Sequence, residues 1–229
     1  MHRQTKKRTG IPMDAGFFVS EPQLHFISPS KIGLEKLLWM CRQVAPWVTR
    51  IHLRQKTLTQ AELLRWGKAL IEEGGIDREQ LTVNGSPWVA AELGCGAVHL
   101  PEAGPSPAEV RNILGSVAEV GCSVHSLEAA RRKAANGADY LFFGHVFKTA
   151  SKRGYPPRGL EELKALCAGV SLPVIALGGV TVERISELKS VGAAGVAVIS
   201  AIADAPCPGE EAERLATILR VSWTERSGW

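Results

Sequence analysis

The sequence predicts one α/β domain, a single (β/α)8 TIM barrel, on three observations. Strand-like and helix-like segments alternate from Leu24 to Val221. The strand-like segments are short apolar runs without polar alternation, the pattern of strands covered on both faces of a parallel sheet. The last two runs, Pro173–Leu177 and Gly195–Ile199, stop abruptly in small residues, Gly178-Gly179 and Ser200-Ala201. Such turns leave backbone N–H groups bare enough to hold an anion. Two of them near the end of a 229-residue chain suit the phosphate site after strands 7 and 8 of a barrel, a fold of about 250 residues.

The elements follow in order. Leu24–Ser28 reads as a strand and Leu34–Val44 as a helix with apolar residues at helical spacing. Val48–Arg54 is the second strand. Thr59 caps the next helix, which runs to Glu73, with Glu62 three residues on as in a capping box. Leu81–Asn84 and Ala97–Leu100 are the third and fourth strands, followed by helices at Pro87–Leu93 and Pro107–Leu114. Val120–His125 leads into a helix from Ser126 to Asn136, with Gly137 as its stop. Asp139–His145 is the sixth strand, and a long loop precedes a helix at Leu160–Cys167. The seventh strand is followed by a helix from Thr181 to Ser190, and the eighth by Glu210–Val221. Eight units in series favour a closed barrel over an open doubly wound sheet. No GxGxxG follows the first strand and no Gly-Lys-Ser/Thr follows any strand, which argues against dinucleotide and P-loop folds.

Composition narrows the function. The net charge is +4, and Arg3, Lys6, Lys7 and Arg8 carry all of it. The basic balance therefore belongs to the first residues, and no nucleic-acid partner is expected. The expected organisation is a basic N-terminal tail over 1–22, the barrel over 23–222 and a tail over 223–229. Five cysteines are widely spaced with no CxxC, so neither a zinc site nor a disulfide framework is favoured, and a cytoplasmic location is expected. No apolar run approaches about 18 residues, so no membrane partner is expected.

Function in a barrel collects at the C-terminal ends of the strands. Strand 2 ends in His52-Leu53-Arg54-Gln55-Lys56. Period two puts His52 and Arg54 on one face, with Lys56 just above, and two cations at one rim suit a carboxylate or phosphate. Asn84-Gly85, after strand 3, is either a turn or a polar substrate contact. Strand 5 ends in Ser123-Val124-His125-Ser126, where Ser126 suits a helix cap and His125 suits proton transfer. The loop after strand 6 carries Thr149 and Lys152 among hydroxyls, cations and glycines. His25 and His99 show no partner pattern. No His-x-His or acidic neighbour supports a metal on His52, His99 and His125, so no metal site is expected.

These residues identify the chain as resembling the thiamine phosphate synthase superfamily from about Leu24 to Val221. The resemblance rests on His52 to Lys56, Val83-Asn84, Ala138 to Gly144, Thr149 to Lys152, Gly178-Gly179 and Val198 to Ile202. The synthase branch joins a pyrimidine pyrophosphate to a thiazole phosphate. It needs Mg²⁺, held by one aspartate after the strand-3 Asn and one in the loop after strand 4. Here Gly85 and Leu100 to Pro105 stand at those places, with Glu102 as the one carboxylate. Asn84-Gly85, Val98 to Pro101, Ser123 to Glu128 and Phe143 to Phe147 look more like the TenI-type thiazole tautomerases. That resemblance implies a cofactor-free isomerase acting on a thiazole phosphate carboxylate in thiamine biosynthesis. It implies His125 as acid and base, with His52 as a second proton-transfer candidate. It also implies Arg54, Lys56, Asn84, Ser123, Thr149 and Lys152 as ligand contacts, Gly178, Gly179, Ser200 and Ala201 as the phosphate anchor, and a homodimer. The alternatives are the Mg²⁺-dependent synthase and a non-catalytic regulator that binds thiazole phosphate.

Overall fold

The computed structural model describes residues 21–114 and 118–224. Residues 1–20 and 225–229, which hold most of both expected tails, lie outside the described residues. Eight parallel strands close into a barrel in chain order: β1 (Gln23–Ile27), β2 (Arg50–Leu53), β3 (Leu81–Asn84), β4 (Ala97–Leu100), β5 (Glu119–Val124), β6 (Tyr140–Gly144), β7 (Val174–Leu177) and β8 (Gly195–Val198). β8 pairs with β1 through Gln23–Gly195 and His25–Ala197, which closes the ring and leaves no open sheet edge.

Around it stand α1 (Leu34–Val44), α2 (Gln60–Glu72), α3 (Pro87–Leu93), α4 (Pro107–Leu114), α5 (Leu127–Ala135), α6 (Gly159–Gly169), α7 (Ile185–Ser190), α8 (Ser200–Ala203) and α9 (Pro208–Thr224). The capping box at α2 is present: Thr59 Oγ1 accepts from the Glu62 amide, and Glu62 accepts from the Thr59 amide. Gly94 ends α3 at φ 63°, a conformation open to glycine at little cost.

Strand period two divides the apolar residues into two bodies. Phe26, Ile51, Leu53, Val83, Leu100, Leu141, Phe143 and Val196 point outward into the layer between sheet and helices. Each such buried side chain contributes about 1.5–3 kcal/mol relative to exposure. Ile27, Tyr140, Phe142, Ile175 and Ala197 form a smaller cluster inside the cylinder. Apolar volume alone does not fill the lumen, because all of β1 to β5 contribute polar side chains to it.

Some elements depart from expectation. The helix expected over Thr181–Ser190 begins as a 3₁₀ turn, Val182–Arg184, before α7. The turn brings Arg184 back over Gly179, whose carbonyl accepts from Arg184 Nη1 at 2.6 Å. The sequence reading missed α8, a single turn after β8. α9 extends to Thr224, two residues into the segment expected as a C-terminal tail. Among the described residues no helix is long and apolar enough to cross a membrane.

Candidate active site at the barrel mouth

The register of the eight strands stacks the lumen side chains in layers. Deepest is an ion pair, Arg50 Nη2 to Glu119 Oε2 at 2.7 Å. Above it lie three histidines, none more than 3% exposed: His25, His52 and His99. Their rings pack against one another and against Tyr140 and Phe142, with centroids 4.2–5.7 Å apart. His25 Nδ1 lies 2.9 Å from His52 Nε2. His25 Nε2 lies 2.8 Å from Gln23 Oε1. His52 Nδ1 lies 2.9 Å from Asn84 Oδ1. On the other side His99 Nε2 lies 2.9 Å from Ser123 Oγ, and His99 Nδ1 lies 3.4 Å from the Tyr140 hydroxyl.

Burial is the first cause holding all three imidazoles below their ordinary range, His52 to about 3. These rings are neutral at pH 7. The same burial raises the Tyr140 phenol. Gly121 makes room for that phenol: a Cβ there would stand 2.0 Å from Tyr140 Cζ. Thr82 Oγ1, beside His52 in the β2–β3 register, is the buried side-chain polar atom left without a partner among the described residues.

The top layer is more open and charged. Arg54 follows β2 and is half-buried; its Nη1 donates to Ser30 Oγ at 3.1 Å, and burial lowers its pKa. Gln55 turns down instead, its Nε2 donating to Ser28 Oγ and the Pro29 carbonyl, and so ties the β1 and β2 loops together. Lys56 is exposed in the turn beyond. Asn84 and Ser123 occupy the upper ends of β3 and β5, each holding a lumen histidine from above.

His125 is separate from the lumen histidines. It is half-exposed on the rim, and its Nδ1 is 2.7 Å from Glu102 Oε2. Arg158 Nη1 donates to the His125 carbonyl at 2.7 Å. A cleft of about 390 Å³ opens beside it, lined by His125, His145, Lys152, Tyr155 and Arg158 among others. Thr149 and Lys152 bracket a one-turn 3₁₀ helix, Ala150–Lys152, in the long loop after β6.

Across the mouth the rim is backbone. Gly178 and Gly179 have φ of 95° and 67°. The loop after β6 presses on them: a Cβ on Gly178 would stand 2.4 Å from His145 Cβ, and one on Gly179 2.6 Å from the Lys148 carbonyl oxygen. The Phe147 amide donates to the Gly178 carbonyl at 3.1 Å, and Arg184 lies 4.5 Å over the Phe147 ring. The glycine pair thus serves loop packing as well as access to backbone amides. Ser200 and Ala201 open α8, where the first amides have no acceptor within their own helix.

The structure therefore gathers Arg54, Asn84, Ser123, His125, Gly178, Gly179, Ser200 and Ala201 at one end of the barrel. It also shows how the lumen histidines are held. His52, the second proton-transfer candidate, lies one layer below the mouth with both nitrogens engaged. His25 and His99, which had no visible partners in the sequence, are hydrogen-bonded across strands. Sequence reasoning also missed the roles of Gly121, Glu102 and Arg184, whose partners lie on other elements.

The Mg²⁺ site of the synthase branch is not reproduced. Gly85 offers no side chain, the Glu102 carboxylate is turned to His125, and among the described residues no three His, Cys, Asp or Glu side chains group to hold a metal. The residues present do not fit that site.

Fold and rim define the class: a (β/α)8 barrel with its polar groups collected at the C-terminal mouth. The chain belongs to the thiamine monophosphate synthase family, whose model matches residues 24–202. It is 38% identical over 179 residues to thiamine-phosphate synthase of Chlorobium luteolum, covering 78% of this chain and 83% of that one. It is 37% identical over 177 residues to a putative thiamine-phosphate synthase of Geobacter sulfurreducens, covering 77% and 83%. Among solved structures, thiamine phosphate pyrophosphorylase of Pyrococcus furiosus superposes with a TM-score of 0.74 at 27% identity, covering 89% of this chain and 98% of that one. These relatives overturn the expected tautomerase branch and the isomerase class: they carry the name of a synthase, a transferase. The tautomerase reading leaned on a few loop residues at the mouth, whereas the identity extends along most of the barrel. The role drawn for His125 from that branch falls with it.

Proposed function

We propose that this chain is a transferase of the thiamine-phosphate-synthase type, joining a pyrimidine pyrophosphate to a thiazole phosphate in thiamine biosynthesis. The observation that carries this reading is the 38% identity to a synthase along 179 residues, joined to a mouth with anion-binding groups on both rims. The amides of Gly179, Ser200 and Ala201 take the phosphoryl group of the thiazole. A helix start and glycine turns offer N–H groups at no reorganisation cost. Arg54, Lys56 and Lys152 take the pyrophosphate, whose charge grows as it leaves, so their attraction strengthens toward the transition state. Asn84 and Ser123, fixed from below, orient the rings. Anchoring both phosphates holds the reacting carbon and nitrogen together, which lowers the entropic cost of the encounter. No step is assigned to a metal, because the donor set does not match one.

The test is direct. Purified chain is incubated with both substrates, and thiamine phosphate is separated and quantified. Time-dependent product that scales with enzyme is expected. A chain that binds thiazole phosphate yet forms no product, with or without added Mg²⁺, overturns the transferase reading.

A further inference from the structure

The buried chain Gln23–His25–His52–Asn84 has a direction, and that direction decides what Asn84 shows to the mouth. Three contacts link the four side chains, each at 2.8–2.9 Å: Gln23 Oε1 to His25 Nε2, His25 Nδ1 to His52 Nε2, and His52 Nδ1 to Asn84 Oδ1. Every contact needs one proton. With a carbonyl oxygen at both ends, all three protons must come from the two rings. Two neutral imidazoles carry only two ring protons, so a third would make one of them a cation.

A cation there is unfavourable. Both rings are fully buried. The charge beside them is Arg50 below, with Glu119 already paired to it. Burial and Arg50 both depress the two imidazoles. One terminal amide must therefore turn its NH₂ toward its histidine, and only one. If Asn84 turns, both rings carry their proton on Nε2 and Asn84 offers its oxygen to the mouth. If Gln23 turns, both rings carry it on Nδ1 and Asn84 offers its NH₂. An amide's two arms are nearly equal in shape, so either end can turn without repacking.

Arg54 and Lys56 stand at the same rim, and a donor beside two cations suits an anionic ligand. We propose that His52 is a positioning residue: His25 and His52 both hold their proton on Nδ1, Gln23 donates to His25 Nε2, and His52 donates to Asn84 Oδ1, which turns the Asn84 NH₂ toward the phosphorylated ligand. The direction rests on the reading that the ligand is anionic; the proton count does not. Gln23, at the far end of β1, then sets the polarity of a mouth residue through two rings. Asn84 itself is the group that touches ligand, and His52 acts through it.

Nitrogen-15 NMR of histidine-labelled protein tests the first half without any activity. Protonated and bare ring nitrogens resonate far apart, and His25→Phe and His52→Phe assign the signals. Nδ1–H with bare Nε2 is expected for both rings. Nε2–H on either ring, or a doubly protonated ring at pH 7, overturns the proposal. The second half is read by titration with the pyrimidine pyrophosphate, the ligand assigned to the rim of Arg54 and Lys56. His52→Phe keeps an aromatic ring but loses the donor, and should weaken binding about tenfold, the scale of one hydrogen bond to a charged partner. His52→Gln keeps an N–H for Asn84 and should stay within about threefold of the parent. If Gln loses as much as Phe, the donor has no positioning role. Should the synthase assay fail while both measurements succeed, the transferase reading falls and this one stands.

Discussion

The mouth of the barrel and the layer beneath it use the same kinds of side chain in opposite states. One layer down, His25, His52 and His99 are buried, neutral and bound to one another or to fixed polar partners. At the rim, His125 is half-exposed and set against a carboxylate with Lys152 lining the same cleft, while Arg54 and Lys56 follow β2. Depth accounts for the difference. A buried charge without a counter-charge is costly, so the deep rings stay neutral and serve as fixed donors and acceptors. Water at the rim screens charge, so the cations there remain free to meet an anion. The deep layer positions and the rim binds.

The largest effect should come from breaking the deep layer. Gly121→Val places atoms where the Tyr140 ring sits, and overpacking of this kind costs about 1–3 kcal/mol or more. The variant should unfold at markedly lower denaturant than the parent, whereas a rim change such as Lys56→Ala should leave the midpoint in place. Denaturant melts followed by far-UV circular dichroism compare the two.

Acid sharpens the same contrast. Each deep histidine binds a proton readily when unfolded and reluctantly when folded, His52 only near pH 3. The unfolded state therefore binds more protons below its ordinary pKa of about 6.5. Stability should fall as pH drops from about 6.5 toward 4, by roughly 1.4 kcal/mol per pH unit for each such ring. His99→Gln should reduce that slope by about a third of the three-ring total. An unchanged slope would mean that His99 is not buried neutral.

At the backbone rim, Gly179→Val combines a positive φ with a clash against the Lys148 carbonyl. The KM for thiazole phosphate should rise about a hundredfold, equivalent to some 2.7 kcal/mol of lost binding, with a smaller change in melting. A KM within threefold of the parent would place the phosphoryl group elsewhere.

The smallest expected effect restores a carboxylate. Gly85 has φ 81° and open space around a would-be Cβ, and aspartate tolerates that backbone better than most residues. Gly85→Asp should increase the response of product formation to Mg²⁺ by about tenfold, the scale of one well-placed charge interaction. Equal Mg²⁺ responses in the two proteins would show that more than one ligand is missing.

Much of this was legible in the sequence, and its limits are instructive. Period two set His52 and Leu53 on opposite faces of β2, and Thr59 with Glu62 marked the start of α2. Glu102 and His125 gave no such signal, because 23 residues separate them and they meet only when β4 and β5 pair. Gly121 looks like any strand glycine until Tyr140 leans across from β6. The branch assignment failed for a related reason: a few loop residues at the mouth were weighed above a likeness spread over the whole barrel.

By itself, the sequence determined the eight-unit barrel, its caps and the strand ends that carry polar residues, since periodicity and turn chemistry are local properties of the chain. The tertiary structure alone decided which histidines are neutral, which glycines make room for another element, and which partner each polar group finds. Those outcomes depend on burial and on contacts between strands far apart in sequence, and both arise only when β8 closes against β1.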